Sequence, residues 1–207
     1  MGYPCQLSRV RRTRLETALS IVMVQRLQIL PYDPCWALEF EAERGRIAHA
    51  LGELAQRIDH HGSTSVPGLD AKPIIDIQVS VIHLAPIRAY AMPLTTLGYV
   101  HVPHADDAFS PFFHRPSRWP HTHHVHVVQT GGEEERRTLA FRDFLREHGE
   151  VAREYASLKK QLAAMADATD ASDRETYANA KAEFVERTVQ IALAAGYPRR
   201  LSRNHGL

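Results

Sequence analysis

The sequence of 207 residues has little cysteine, little net charge and no long apolar run. Cys5 and Cys35 are the only cysteines, so we expect neither a disulfide framework nor a cysteine-rich zinc site, and a reducing, cytoplasmic setting fits best. Because no stretch of about 18 uncharged apolar residues is present, we expect no transmembrane helix and no membrane partner. The formal net charge of +1 argues against a dedicated nucleic-acid-binding protein, which usually has a strong basic excess.

The remaining composition is that of a globular protein, with 44% hydrophobic and 24% charged residues. The length suits one domain that buries its own core. We expect residues 1–26 to be an arginine-rich extension that is mobile or helical, with Met23 as an alternative start of the chain. Residues 27–196 are predicted to form a single domain, of which 132–196 is the helical part, and residues 197–207 a tail.

The spacing of the apolar residues predicts the element order α-β-β-α-β-β-α-α-α and an α/β (α+β) fold with a small mixed sheet. The first helix is expected to begin at Asp33-Pro34 and to continue to about Arg57. Strands are predicted over residues 58–61, 74–82, 98–103 and 123–129, with a further short strand at 112–113, and an irregular helix is predicted over 83–97. Three amphipathic helices follow and are expected to pack beside the sheet. The last of them begins at a capping box, Ser172 to Glu175.

A loop of small polar residues follows the first predicted strand and is the strongest candidate for a binding site. It contains Gly62, Ser63, Thr64 and Ser65. A Gly-Ser pair after a strand lets the backbone approach a phosphate closely, with amides and hydroxyls as donors. Asp76 on the next strand can hold a divalent cation that bridges such phosphates, and Lys72 lies just before that strand. The alternative is that residues 62–68 form only a structured turn.

Histidine is unusually frequent: the chain has 13, and seven lie between His101 and His126. His124 and His126 are two residues apart on one predicted strand and therefore share a face. They can ligate a transition metal such as Zn²⁺, donate to a phosphate or act as a general base; the alternative is cross-strand packing or surface exposure. His60 could join them, and with Asp76 would complete a mixed nitrogen and oxygen metal site.

Basic residues of the C-terminal helices form a further candidate group. Tyr177 and Lys181 are one helical turn apart, so an aromatic ring and a cation can act together. One interpretation is that Arg142 and Lys181 turn towards a cleft and bind a triphosphate. The other is an ordinary solvated helix face, to which Lys159 and Lys160 would also belong.

Four parts of the sequence, in the right order, resemble the GrpB family. They are ILPYDPCWALEFEAE near the start, HHGSTSVPGLDAKPIIDIQVSV around the glycine-serine loop, HHVHVV in the middle, and LAFRDFLREHGEVAREYASLKKQLA with YANAKAEFV near the end. The resemblance covers residues 27–195. That family looks like a branch of the nucleotidyltransferase superfamily, whose core pattern is a hydrophobic residue, Gly and Ser followed by an Asp-containing strand. The resemblance implies a nucleotidyltransferase-like mixed sheet flanked by helices, with a C-terminal helical segment.

The sequence departs from the superfamily pattern on the strand that carries Asp76. A standard nucleotidyltransferase has two carboxylates two residues apart on this strand and a third on a later strand. Gln78 takes the place of the second carboxylate and offers only one amide oxygen. A scheme with two metal ions about 3.5–4 Å apart is therefore incomplete, and we expect one Mg²⁺ ion or none.

Two functions follow from the resemblance. The first is transfer of a nucleotidyl group from a nucleoside triphosphate to an unknown small acceptor. The residues expected to carry it are Asp76 for Mg²⁺, Gly62 and Ser63 for the phosphates, Lys72 or Arg142 for the developing charge, and His126 for the acceptor hydroxyl. The second is a non-catalytic or repurposed domain that binds a nucleotide, a phosphate or a metal ion. The glycine-serine loop and Asp76 favour the first function, and the missing second carboxylate favours the second.

Overall fold

The computed structural model describes residues 27–166 and 170–199. The predicted N-terminal extension, and residues 200–207 of the predicted tail, lie outside the described residues. None of the helices within the described ranges is long and apolar enough to cross a membrane.

Six α-helices and five strands are present in this part of the chain. The strands are β1 (Arg57–His61), β2 (Ile75–Val81), β3 (Val100–Val102), β4 (Phe112–Arg115) and β5 (His123–Gln129). The helices are α1 (Cys35–Leu51), α2 (Arg88–Thr96), α3 (Glu133–Glu147), α4 (Gly149–Ala163), α5 (Ala171–Ala180) and α6 (Ala182–Ala194). Short 3₁₀ turns occupy Gly52–Leu54, Ser63–Ser65 and Ala105–Ala108.

The five strands form one mixed sheet in the order β1-β2-β5-β4-β3. The central pair, β2 and β5, is parallel, and all other neighbours are antiparallel. The predicted small mixed sheet is confirmed, and so is the placement of Asp76 and His126 on neighbouring strands. Alternation along β2 sends Ile75, Ile77 and Val79 to the face covered by α1 and α2, where they join the main core.

The polar face of the sheet is covered by the C-terminal helices. Helix α3 is fixed to it by Glu135, which is buried in the first turn of the helix. One carboxylate oxygen of Glu135 accepts from the Ser80 hydroxyl on β2, and the other accepts from the backbone N–H of Gly131. Glu135 thus links the sheet, the turn and the helix, although a glutamate at the start of a helix is ordinarily exposed.

The C-terminal region differs in three details from the sequence-based expectation. Four helices are present there, because the last predicted helix is broken at Lys181 into α5 and α6. The cap of α5 is Asp170, whose carboxylate accepts from the backbone N–H groups of Ser172 and Asp173, so the capping box beginning at Ser172 is wrong. Tyr197, the first residue of the predicted tail, is buried in a cluster with Phe144.

A buried carboxylate ties α1 to the far edge of the sheet. The Glu43 side chain on α1 is almost completely buried and accepts two hydrogen bonds from Arg115 on β4, at 3.0 and 3.1 Å. It also accepts from the Tyr99 hydroxyl at 3.0 Å and from Arg46 at 2.8 Å. Since a buried charge is costly without partners, this network depends on every member.

We predict that Glu43→Gln lowers the free energy of unfolding by about 3 kcal/mol, because it leaves the Arg115 guanidinium half-buried without its carboxylate. The matched control is Glu41→Gln, which removes an exposed pair with Arg44 on the same helix and should cost no more than about 0.5 kcal/mol. Urea unfolding of both variants measures the difference. Equal losses of unfolding free energy for the two substitutions would show that the buried network adds no more stability than an exposed ion pair.

Candidate functional site

A cavity of about 730 Å³ lies beside the polar face of the sheet, between the strands and helices α4 and α5. Its size is in the range of ordinary small-molecule sites. Most of the site residues predicted from the sequence line it. They are Ser63, Thr64, Lys72, Asp76, His124, His126, Tyr177 and Lys181.

The turn after β1 reaches the cavity because Gly62 allows it. Gly62 has a positive φ of 66°, and a Cβ at this position would lie 2.2 Å from the Asp76 Oδ2 atom. Only glycine permits both this backbone conformation and this close approach. The turn is held on its other side by Thr64, whose hydroxyl donates to the carbonyl of Ile74 and contacts His60 Nε2 at 2.9 Å.

The pairing of β2 with β5 sets the chemistry of the cavity floor. Asp76 lies beside His124, and Gln78 lies beside His126. The Nδ1 atom of His124 is 3.2 Å from Asp76 Oδ1. Burial acts to raise the pKa of Asp76, but the hydrogen bond from His124, together with electrostatic attraction to His124, His61 and His126, outweighs burial, and the pKa lies well below its usual value. Asp76 is therefore a carboxylate at neutral pH.

Three lysines surround this carboxylate. The Lys159 ammonium donates to Ser63 Oγ at 2.8 Å and to the carbonyl of Asp70 at 2.6 Å. The ammonium groups of Lys72 and Lys181 lie 3.7 and 4.5 Å from the centre of the Tyr177 ring. In the part of the chain that the structure describes, no carboxylate is within ion-pair distance of any of the three.

This arrangement lowers the pKa of all three ammonium groups. Burial, with repulsion from Lys181, lowers the pKa of Lys72 to about 7. The same two causes lower the pKa of Lys159 to about 7. Burial also lowers the pKa of Lys181, and in all three cases the charge of Asp76 acts in the opposite direction. A bound anion would supply the missing counter-charge.

The comparisons with known proteins decide the family. The sequence pattern of the GrpB protein family matches residues 26–190, about four-fifths of the chain. The chain belongs to the GrpB family. It is 40% identical over 173 residues to the UPF0157 protein PA4798 of Pseudomonas aeruginosa, a match that covers 82% of this chain and 69% of that protein.

Structural comparison agrees with this family assignment. The crystal structure of the conserved protein GrpB from Enterococcus faecalis superposes with a TM-score of 0.71 at 33% sequence identity, covering 81% of this chain and 98% of that chain. The sequence is also 28% identical over 165 residues to a dephospho-CoA kinase of Mycolicibacterium paratuberculosis, a match that covers 68% of this chain and only 40% of that protein.

The structure does not bring His60 together with Asp76, His124 and His126, because His60 faces the opposite side of the sheet. Its ring stacks on Phe40 of α1, with centroids 4.7 Å apart, and burial lowers its pKa to about 4. The antiparallel register places His61, not His60, beside Asp76. The described ranges contain no group of three or more His, Cys, Asp or Glu side chains placed to hold a metal ion.

Three other residues expected at the site, Gly62, Ser65 and Arg142, lie outside the cavity lining. Arg142 is a buried residue of α3. It pairs with Asp59 at 3.3 Å and with Asp143 at 2.7 Å, and it donates to the carbonyl of His60. It therefore stabilises β1 against α3 and is buried instead of solvated. The Ser65 hydroxyl donates to the carbonyl of Gly62 and closes the turn.

Gln78 is completely buried, and neither polar atom of its side-chain amide has a hydrogen-bond partner among the residues described. It does not line the cavity. Its neighbour His126 does, and burial lowers the pKa of His126 to about 4, so its imidazole is neutral at neutral pH. The floor of the cavity thus carries one ionised carboxylate and neutral imidazole where the superfamily pattern has two carboxylates.

Lys159 lines the cavity and is not on a solvated helix face, and the sequence held two signals for this position. Lys159 lies four residues after Tyr155 and three before Leu162, both on the buried side of α4, so it shares their face. The chain also has only four lysines among its 25 basic residues, and all but Lys160 line the cavity. Trp119 and His121, which line the far wall, had no comparable signal because they come from an irregular loop.

We predict that Gly62→Ala is far more destabilising than Gly68→Ala. Both positions have a positive φ, but a Cβ at Gly68 would meet nothing within 4 Å. Gly68→Ala should therefore cost about 1 kcal/mol of unfolding free energy from backbone strain alone. Gly62→Ala should cost about 3 kcal/mol, because displacement of the Asp76 side chain adds to the strain. Thermal or urea unfolding measures both, and equal costs would contradict the close packing of the turn on Asp76.

Proposed function

We propose that this GrpB protein binds a nucleoside triphosphate in the cavity and transfers its nucleotidyl group to a small acceptor. The observation that carries the proposal is that Lys72, Lys159 and Lys181 line one cavity with Ser63, and that none of the three has a carboxylate partner among the described residues. Three partly desolvated like charges destabilise the free protein, and a polyphosphate placed among them would remove the repulsion.

The walls of the cavity suit the two ends of a nucleotide. The lysines and the Ser63 hydroxyl form the polar end, while Phe112 and Trp119 supply aromatic surface on which a base can stack. A phosphorylated nucleotide is the ligand class that fits both the charge and the shape.

The donor set of the cavity fits Mg²⁺ better than a transition metal. Mg²⁺ in nucleotide sites is commonly held by one or two carboxylates together with phosphate oxygens and water, and Asp76 can supply such a carboxylate. The imidazoles do not converge as a group of three with Asp76, so a zinc site at His124 and His126 has less support. When bound, Mg²⁺ would neutralise phosphate charge.

The transfer proposed here exchanges one bond for another at the α-phosphorus. The acceptor oxygen forms a bond to this phosphorus, the bond to the bridging oxygen breaks, and pyrophosphate leaves with the electron pair. The acceptor proton passes to His126, whose imidazole is neutral and lines the cavity. Lys159 and Lys181 stabilise the charge that develops on the departing pyrophosphate.

Binding without transfer is the second candidate function, and Gln78 favours it. Its buried amide supplies no charge where the superfamily pattern has a second carboxylate. A protein of this kind would hold the same nucleotide through the same lysines and release it unchanged. Detection of pyrophosphate with a panel of small hydroxyl and amine acceptors separates the two candidates.

The proposal is tested by calorimetric titration with the four common nucleoside triphosphates in the presence of Mg²⁺. The wild-type protein should bind at least one of them, and Lys181→Met should weaken the affinity at least tenfold. Because this substitution removes a partly buried charge that has no carboxylate partner among the described residues, we expect the melting temperature to stay equal or to rise. Lys160→Met is the matched control: its ammonium is exposed and paired with Asp70, so nucleotide affinity should not change. Failure of the wild-type protein to bind any of the four would contradict the proposal.

A further inference from the structure

Three of the four lysines in this chain line one cavity. Four of its 25 basic residues are lysine and the others arginine, yet Lys72, Lys159 and Lys181 line the same cavity. Arginine binds phosphate through two parallel hydrogen bonds and does not lose its proton, so it would serve a site that needs only positive charge. Lysine differs in that its amine can become neutral and then act as a nucleophile.

The three lysines are not equivalent in their surroundings. Lys159 is fully buried, and its nitrogen is already engaged with Ser63 and the carbonyl of Asp70. The nitrogen of Lys72 contacts the face of the Tyr177 ring and, among the described residues, makes no hydrogen bond or ion pair. Lys72 is also half-buried and faces the cavity, so its amine is open to a bound ligand.

The neighbouring Lys181 keeps the Lys72 amine partly neutral. Both ammonium groups lie against the same Tyr177 ring, and their repulsion adds to the effect of burial on Lys72. A lysine placed beside a second cation in a partly desolvated pocket is a known way to activate an amine. With a pKa of about 7, a large part of Lys72 is unprotonated at neutral pH.

We propose that Lys72 is the nucleophile of the site and forms a covalent nucleotidyl-lysine intermediate. This inference rests on the proposed function and divides its single displacement into two. In the first step the Lys72 nitrogen forms a bond to the α-phosphorus, the bond to the bridging oxygen breaks, pyrophosphate leaves, and the amine proton passes to His126. In the second step the acceptor oxygen attacks the same phosphorus, and the nitrogen leaves with the electron pair and takes up the acceptor proton.

A covalent route would compensate for the missing second carboxylate in the cavity. In the superfamily pattern the second carboxylate supplies negative charge for a second metal ion, and Gln78 cannot do so. Forming an intermediate divides one difficult displacement into two easier ones, the first of which uses an amine that needs no activation by metal. The resulting phosphorus–nitrogen bond is labile to acid and stable to alkali, which provides a chemical signature.

The test uses the full chain, nucleoside triphosphate labelled at the α-phosphate, Mg²⁺ and an alkaline quench. The wild-type protein should gain the mass of one nucleotidyl group on the peptide that contains Lys72, and brief acid treatment should remove it. Lys72→Arg should bind the nucleotide within threefold of the wild-type affinity but lose at least 100-fold of the label. Lys160→Arg should be labelled like the wild-type protein.

A second measurement examines the amine without any nucleotide. Trace acetylation at pH 7 should modify Lys72 at least tenfold faster than Lys160. Equal rates, a label that persists in Lys72→Arg, or nucleotide binding by the wild-type protein without label would each overturn the covalent role while leaving the proposed binding intact. Absence of binding by the wild-type protein would instead overturn the proposed function, and this inference with it.

Discussion

The parallel pairing of β2 with β5 is the constraint on which the rest of the structure depends. Both strands are central in the sheet, so their apolar sides enter the core with α1 and α2 while their polar sides face the C-terminal helices. A shift of this register by one residue would move Asp76 into the core and an isoleucine into the cavity. The same pairing sets Asp76 beside His124 and thereby fixes where the Gly62 turn can pack.

Charge is distributed unevenly around this framework. Arginines and carboxylates that are buried elsewhere are paired, as Arg115 is with Glu43 and Arg142 with Asp59. Within residues 27–166 and 170–199, the lysines of the cavity have no such carboxylate partners. Uncompensated charge in a cavity destabilises the free protein, and this is characteristic of sites that are completed by a ligand.

Much of the fold was predictable because β2, β5 and α1 each show a clear period in the distribution of apolar residues. The direction in which His60 points could not be predicted, because β1 is short and carries histidine at both alternating positions. Only the antiparallel register of β1 with β2 decides which of the two histidines lies beside Asp76. The partner of Arg142 lies 83 residues away in sequence, at Asp59, and no local pattern indicates such a contact. The break at Lys181 was likewise hidden, since the apolar spacing continues across it.

The central claim is that the lysines of the cavity form an incomplete anion site, and the titration of their amines tests it most directly. With only four lysines in the chain, their side-chain NMR signals can be assigned and followed with pH. We predict that Lys72 and Lys159 titrate near pH 7 in the free protein. Inorganic triphosphate should raise the pKa of Lys159, so that binding takes up protons and affinity falls as the pH rises above 7. Titration of both amines near pH 10.5 in the free protein, unchanged by triphosphate, would contradict the account.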